Sequence, residues 1–401
     1  MASQTCWDSP AAYIQPETTQ QVAEALAILK NTCTKFALRT HGHTPNPGFS
    51  SIGKNGVVLD LHKLCSIISF DKEAGILHVG AGGYPAIPNL HGTGADGVCE
   101  FEVVLSDSTI VTANAEKNMD LYRSLKGGGS NFGIVTSVKL KVYPLIKVQY
   151  STELYAETDI STIMQATVEV QAAMENNPNL NLFVNVNAGF IVIGLISANG
   201  PDERSGEFKP ISNLTSKINT AVPVTNGTIS FLAQAMSHAT DLGRRTIGSV
   251  TTNVSGDLYK QIYSRWKEVI SKLPTGMGLH YTIQPFSAAG AQAGEILGRN
   301  IMGLEKASQC WWVFTAEWTE ADNDRAARDA VDTMVEYVQE VASVNGLLLR
   351  YITMNFANLD QNVLGSYGQE AVDELRRVAS KYDPEGVFQK LQNGGFLLRD
   401  M

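Results

Sequence analysis

Two short segments combine residue types that could do chemistry. The first is the loop 39–48, which contains two histidines, an arginine, two prolines and two glycines. Arg39 and the loop amides could bind a phosphate or a carboxylate, and the imidazole of His43 could act as a nucleophile or hydrogen-bonding group. A simple connector does not need this composition. We therefore interpret the loop as part of a binding site, with an ordinary loop as the alternative.

The second segment is a run of three consecutive glycines, Gly127, Gly128 and Gly129. It lies between a short helical pattern and the alternating segment 133–142, which predicts a strand. A glycine inside a regular element costs about 0.5–1 kcal/mol relative to alanine, so a cofactor or a packed segment must approach this backbone closely, or the chain must bend there. The order helix then strand, without a Gly-Lys-Ser/Thr ending, differs from a phosphate-binding P-loop.

Polar side chains also recur along three alternating segments, 181–187, 279–284 and 309–318. Successive side chains of a strand point to opposite faces, so each segment has one apolar and one polar face. The polar faces carry Asn181, Asn185 and Asn187, then His280, Thr282 and Gln284, then Thr315 and Glu317. We predict that these faces line one pocket, and the predicted catalytic residues are His280, Gln284, Glu317 and Asn185. A structural histidine and a carboxylate at the end of the sheet are the alternatives.

Composition limits the class of protein. The chain has 401 residues with 44% hydrophobic content, enough for a large core and more than one domain. Its net charge of -9 argues against nucleic acid and anionic membranes as partners, and in favour of small molecules. The five cysteines are scattered without a Cys-x-x-Cys spacing, so neither a disulfide framework nor a metal site is predicted.

The sequence also bears on location. It has no apolar stretch of membrane-spanning length, and its first residues lack the basic and apolar regions of a signal peptide. We therefore expect a cytoplasmic protein. A secreted protein whose leader is absent from this chain is the alternative, because glycosylation sequons occur at Asn213, Asn226 and Asn253.

Three segments together resemble a known family. Residues 124–136 are similar to the second glycine cluster of the FAD-linked oxidases of the berberine-bridge-enzyme type, which have a PCMH-type FAD-binding domain. Residues 39–44 resemble the family's Arg-Ser-Gly-Gly-His-Thr loop, whose histidine carries the flavin covalently, and residues 381–392 resemble its C-terminal signature. The resemblance includes both ends of the chain. It implies that His43 stands at the position of the flavin-linked histidine.

The resemblance implies an α+β fold of two domains. Residues 1–145 and 350–401 would form the PCMH-type FAD-binding-like domain. Residues 146–349 would form a substrate domain, an antiparallel sheet covered by helices on one face. Helical patterns at 160–175, 258–273 and 324–341 could supply this cover. If FAD is retained, the implied cofactor-binding residues are Arg39, His43, Gly127, Gly128, Gly129, Asn131 and Asn355.

The sequence departs from the family in three places. Several tens of residues, which include the family's second covalent cysteine and part of its cofactor cradle, are missing after residue 82. His41 replaces a glycine of the family's loop, and residues 353–356 lack both tyrosines of a Tyr-x-Asn-Tyr strand. From these losses we predict a protein without a cofactor, whose flavin site is truncated.

Three functions follow from this interpretation. The favoured one is a fungal-type enzyme of secondary metabolism that uses the interdomain cavity for a redox-neutral cyclisation of a polyketide- or terpenoid-like substrate, such as a Diels-Alder reaction. Positioning alone can lower such a barrier by about 7–11 kcal/mol. The alternative is an FAD-dependent oxidase with covalently bound FAD. A non-catalytic binding protein is the third. The sequence does not predict an oligomeric state.

Overall fold

The computed structural model describes residues 3–80, 88–144, 146–198, 204–235 and 243–401. Its strands form three sheets of three, five and seven strands. The first sheet is parallel and has the order β1-β3-β2. Its elements are β1 (Ala12–Ile14), α1 (Thr19–Asn31), β2 (Lys35–Arg39) and β3 (Gly56–Asp60). Helix α1 begins at a capping Thr18, whose side chain accepts a hydrogen bond from the amide of Gln21, and it provides the crossover that parallel strands require.

The second sheet is antiparallel, with the order β4-β5-β8-β6-β7. Its region contains β4 (Ile67–Asp71), β5 (Ile76–Gly80), α2 (Pro88–His91), β6 (Val98–Val104), β7 (Ile110–Asn114), α3 (Met119–Leu125) and β8 (Ile134–Lys141). Val104 and Ile134 are buried against α1, so the first two sheets share a core. Strand β4 is exposed along its whole length at the edge of the sheet.

The third sheet is also antiparallel, with the order β12-β9-β11-β10-β14-β15-β13. Its strands are β9 (Val148–Tyr155), β10 (Leu180–Asn187), β11 (Phe190–Ala198), β12 (Lys217–Gly227), β13 (Arg244–Asn253), β14 (Gly278–Phe286) and β15 (Gln309–Trp318). The helices between them are α4 (Ile160–Asn176), α5 (Lys209–Ser212), α6 (Ile229–Ala235), α7 (Gly256–Ile270), α8 (Ala288–Ile296) and α9 (Asp324–Val344). β12 is the longest strand of this sheet, with eleven residues. It is an edge strand whose pairing with β9 is interrupted by register shifts.

Three helices, α4, α7 and α9, cover one face of this third sheet. The apolar side chains of the strands pack there with Trp266, Tyr281 and Trp312, all fully buried. Ser255 caps the N-terminus of helix α7, and its hydroxyl accepts a hydrogen bond from the amide of Leu258. The predicted fold class, a mixed α+β protein with an antiparallel sheet covered by helices on one face, is confirmed.

The C-terminal segment returns to the first sheet. Helices α10 (Gln369–Tyr382) and α11 (Val387–Lys390) are followed by a short stretch beside β2. There the amide of Phe36 donates to the carbonyl of Leu391, and the amide of Asn393 donates to the carbonyl of Phe36. The Asp383 carboxylate accepts from two amides at the start of α11. The domain boundaries at 145/146 and 349/350 stay a prediction.

Candidate functional site

The register of the third sheet brings the three polar faces together. Strands β10, β14 and β15 are neighbours, with Asn185 opposite Thr282 and His280 opposite Thr315. The Nδ2 atom of Asn185 donates to Oγ1 of Thr282 over 2.8 Å and lies 3.2 Å from Nδ1 of His280. The side chains from three separate segments therefore form one cluster on the face that the helices leave free.

One end of this polar face is covered by residues outside the third sheet. Nδ2 of Asn89, in α2, donates to the Asn181 side chain over 3.1 Å. Trp311 stacks on Phe286 with 4.6 Å between ring centroids and lies 5.7 Å from the ring of Tyr351. The other end, toward Glu317, is half-buried. The face is thus turned toward α2 and the C-terminal segment. That it forms the ceiling of an interdomain pocket stays a prediction.

Glu317 lies at the open end of the face and forms an ion pair. Its carboxylate accepts from Nε of Arg245 over 2.5 Å, and its side chain is 45% exposed. Strand β13 places Arg245 directly opposite Glu317 in the register. The ion pair holds the carboxylate in one position, which suits Glu317 to orienting a ligand at this end of the face.

His280 is the titratable group at the centre of the cluster. Burial lowers the pKa of its imidazole and is the largest cause. The negative charge of Glu317 raises this pKa and the positive charge of Arg245 lowers it. The resulting pKa lies below the ordinary value for histidine. His280 is therefore neutral at pH 7. A neutral imidazole can donate a hydrogen bond from one nitrogen and accept one at the other.

Gln284 is the candidate with an unused side chain. It is half-buried on β14 opposite Trp311. Its side-chain amide makes no hydrogen bond to any residue within the described ranges. A half-buried amide without a protein partner is suited to bind a polar group of a ligand. Gln284 and His280 are four residues apart on one strand, so both point to the same face.

Arg39, at the start of the loop 39–48, pairs with a carboxylate of the protein itself; its role toward a cofactor stays a prediction. The guanidinium donates to Asp60 over 2.5 Å and lies 5.0 Å from the ring centroid of Tyr13. Burial tends to raise the pKa of Asp60, but the hydrogen bonds from Arg39 and His62 lower it overall. Arg39 therefore links β2 to β3 by an ion pair within the first sheet.

The two histidines of the loop are exposed. The rings of His41 and His43 are stacked, with centroids 6.2 Å apart. Gly42 and Gly48 have φ values of +67° and +81°, a conformation that glycine adopts readily, and they turn the backbone on both sides of His43. A ligand can therefore reach His43 without a rearrangement of the core.

A groove of about 330 Å³ opens between the first two sheets beside this loop. It begins at Thr40 and His41 and continues along side chains that are mostly apolar. These include Leu61, Leu64, Cys65, Leu77, Val79, Val135 and Leu140. A largely apolar groove bordered by polar loop atoms suits a flat, partly aromatic cofactor with a polar end. The residues present are thus compatible with a flavin.

The glycine run has a structural role at two of its three positions. A Cβ atom on Gly127 would lie 2.3 Å from Cγ of Met302, and one on Gly128 would lie 2.4 Å from the carbonyl oxygen of Ser124. Gly129 has φ +66°, and the nearest atom that a Cβ there would meet, among the described residues, is Cε of Met354 at 3.6 Å. Gly129 is the member of the run that leaves room for a ligand.

The two predicted asparagines also differ. Asn131 is fully buried, and its Nδ2 donates to the carbonyls of Gly128 and Phe396. Its Oδ1 accepts from Gln389 Nε2 and from the amide of Leu398. This side chain therefore ties the glycine run to the C-terminal segment and has no bond left for a ligand. Asn355 is exposed in a 3₁₀ turn, Met354–Phe356, rather than in a strand.

Some neighbours of the site were missing from the sequence-based set. Arg245 pairs with Glu317, and Asp60 with Arg39, yet both partners come from other strands. The alternating pattern of β13 predicts that Arg245 lies on a strand. It does not predict that this strand pairs with β15, because pairing depends on strand order. No group of three or more His, Cys, Asp or Glu side chains in the described ranges is arranged to hold a metal ion. None of the described helices has the length and apolar character needed to cross a membrane.

Comparison with known proteins identifies the family. A family model described as "FAD binding domain" matches residues 10–84. The FAD-dependent monooxygenase of Arthrobotrys oligospora is 31% identical, and the alignment includes 98% of this chain and 83% of the relative. The chain belongs to the berberine-bridge-enzyme-like family of FAD-linked oxidases. The predicted resemblance is confirmed.

Two further similarities agree with this family. The bifunctional solanapyrone synthase of Alternaria solani is 27% identical over 99% of this chain and 83% of the relative. The structure of BBE-like 1 from Physcomitrella patens has a TM-score of 0.76 at 16% identity and covers 98% of this chain and 93% of that one. At this identity the second similarity concerns the fold alone.

The prediction of a protein without a cofactor is wrong. The matched FAD-binding region and the FAD-dependent relative point to FAD as the cofactor of this FAD-linked oxidase. The prediction failed because it equated a shortened connection with a lost site. A loop can be shortened while the two sheets that it connects keep the groove between them. The shortened connection follows β5, and residues 81–87 lie outside the described ranges.

Proposed function

We propose that this FAD-linked oxidase is an FAD-dependent oxidoreductase that oxidises or oxygenates a small polyketide- or terpenoid-like metabolite. The observation that supports this most strongly is the similarity to an FAD-dependent monooxygenase along 98% of the chain. The groove between the first two sheets, next to an exposed histidine, agrees with it. The polar face of the third sheet would bind the substrate.

The residues that would hold the cofactor are those at the groove. The loop backbone at Thr40 and His41 would bind its phosphates, and the apolar side chains from Leu61 to Val79 would contact its flat parts. His43 would carry it covalently, as the resemblance implies. Bound FAD supplies a two-electron acceptor, which the side chains of this chain do not provide.

The chain's own contribution is orientation. His280 and Gln284 would bind polar atoms of the substrate, and Glu317, held by Arg245, would border the open end of the site. Because these side chains lie on three hydrogen-bonded strands, their spacing is fixed before the substrate arrives. Positioning of this kind can lower the free-energy barrier of a reaction by up to about 7–11 kcal/mol.

The mass of the product distinguishes oxidation from a redox-neutral reaction. Purified protein with its cofactor is incubated in air with a panel of hydroxylated and dienyl small molecules, both with and without a nicotinamide reductant to supply the two electrons that oxygenation needs, and oxygen uptake and product mass are recorded. We expect oxygen uptake and a product that has lost two hydrogen atoms or gained one oxygen atom. A product with the elemental composition of its substrate, formed without oxygen uptake, would contradict the proposed function and favour the cyclisation. Boiled protein is the control.

A further inference from the structure

Two asparagines on β10 form a hydrogen-bonded chain that ends at His280. Nδ2 of Asn187 donates to Oδ1 of Asn185 over 2.6 Å and lies 3.3 Å from the backbone oxygen of Asn185. Nδ2 of Asn185 in turn lies near three polar atoms: the Thr282 hydroxyl at 2.8 Å, His280 Nδ1 at 3.2 Å and the Tyr281 carbonyl at 3.4 Å. We name Asn187, Asn185 and His280 the amide relay.

The orientation of both amides follows from their backbone contacts. A backbone carbonyl accepts hydrogen bonds but cannot donate them, so the side-chain atom that faces it must be the nitrogen. The backbone oxygen of Asn185 fixes the nitrogen of Asn187, and the carbonyl of Tyr281 fixes the nitrogen of Asn185. The oxygen of Asn185 then faces Asn187, where it accepts. A half-turn flip of either side-chain amide would place its oxygen against a backbone carbonyl oxygen.

This orientation decides which ring nitrogen of His280 carries the proton. The amide nitrogen of Asn185 faces Nδ1 with its hydrogens, so a proton on Nδ1 would point at another donor. Nδ1 must therefore be the acceptor, and the proton lies on Nε2. In the described part of the chain Nε2 has no hydrogen-bond partner. A donor on a half-buried ring is thus left for a ligand.

We propose that the amide relay fixes His280 as its Nε2–H tautomer, so that the site binds its substrate through an acceptor oxygen such as a carbonyl or a phenolate. Asn187 and Asn185 are then positioning residues that act through His280. The histidine donates to the substrate and does not abstract its proton. This inference rests on the proposed function, because it names the class of substrate that the same site would bind.

Nitrogen NMR of the imidazole tests the relay without substrate. Protein labelled with ¹⁵N-histidine contains seven histidines, and the His280 signals are assigned by their loss in His280→Gln. We expect wild-type His280 to have a protonated Nε2 and an unprotonated Nδ1 at pH 7. In Asn185→Asp the new carboxylate would accept from Nδ1, so the proton should move to Nδ1 and the pKa of the ring should rise.

A second variant keeps the test valid if Asn185→Asp does not fold. Asn187→Ala removes the 2.6 Å hydrogen bond to the oxygen of the Asn185 amide and leaves its nitrogen oriented only by the 3.4 Å contact with the Tyr281 carbonyl, so we expect the His280 signals to shift toward a mixture of the two tautomers. Thr315→Val is the matched control, because Thr315 lies opposite His280 in the register but outside the relay. We expect wild-type His280 signals in this control.

Two results would overturn the proposal: an Nδ1–H tautomer in the wild-type protein, or unchanged His280 signals in both relay variants. The readout needs neither turnover nor bound FAD. If the protein binds no FAD, that result would count against the proposed function, and the tautomer measurement would still be valid. Conversely, an active flavoprotein with the wrong tautomer would refute the relay alone.

Discussion

His43→Ala is expected to lack covalently attached FAD and to turn over its substrate at least roughly a hundredfold more slowly than wild type, which corresponds to about 2.7 kcal/mol in the barrier. The reason is that a covalent bond at His43 would both retain the cofactor and fix its position relative to the polar face. Attachment is measured as flavin that stays with the protein after acid precipitation. Turnover is measured with a substrate found by oxygen uptake.

His41→Ala is the matched control for this prediction. His41 belongs to the same loop, is likewise exposed and stacks on His43 at 6.2 Å, so its loss changes the loop to a similar degree. We expect acid-stable flavin in this variant. Acid-stable flavin in His43→Ala would show that His43 is not the attachment site.

His280→Ala and Gln284→Ala are each expected to lower kcat roughly tenfold to a hundredfold. A hydrogen bond that strengthens in the transition state contributes on the order of 1–3 kcal/mol, and these two side chains provide the donors of the polar face. Their melting temperatures should stay close to wild type, because neither side chain belongs to the core under α4, α7 and α9. The measurements are kcat, KM and the thermal midpoint.

Thr319→Ala serves as the control, because Thr319 is exposed just beyond the end of β15. We expect wild-type kcat in that variant. Full activity in both His280→Ala and Gln284→Ala would refute the polar face as the substrate site. A large drop in melting temperature would instead show that these residues are structural.

The polar faces were accessible from the sequence because alternation is a local property. The segments around Asn185, His280 and Thr315 each show a period of two, and strands with that pattern have distinct faces. Their assembly depends on strand order, which local pattern does not encode. The Arg245–Glu317 pair shows this, because it forms only if β13 lies beside β15 in the sheet. In the chain, β13 ends more than fifty residues before β15 begins.

The glycine run shows a different limit. The sequence indicates that something approaches Gly127 and Gly128, but not what it is. Met302 and the Ser124 carbonyl occupy those positions, and Met302 is more than 170 residues away in sequence from Gly127. Asn131 is a similar case, because its four hydrogen-bond partners include residues of the distant C-terminal segment. A glycine-rich motif can thus be held in place by packing as well as by a ligand.

The error about the cofactor has a physical origin as well. His41 and the altered residues 353–356 were counted as losses of flavin contacts. In the structure His41 borders the groove, and residues 354–356 form a 3₁₀ turn. Substitutions at a groove rim leave its apolar walls in place, and those walls come from the sheets rather than from the altered segments. Changes in loops are therefore weak evidence for the loss of a site between sheets.

The visible absorption spectrum of the purified protein tests the central claim most directly. The protein is produced with riboflavin available, purified without added cofactor, and its absorbance is compared with the protein concentration. We expect a yellow protein with flavin absorption bands at stoichiometric occupancy, retained through gel filtration. A colourless, folded protein that stays colourless after incubation with excess FAD would contradict the assignment of FAD as cofactor and, with it, the proposed oxidation.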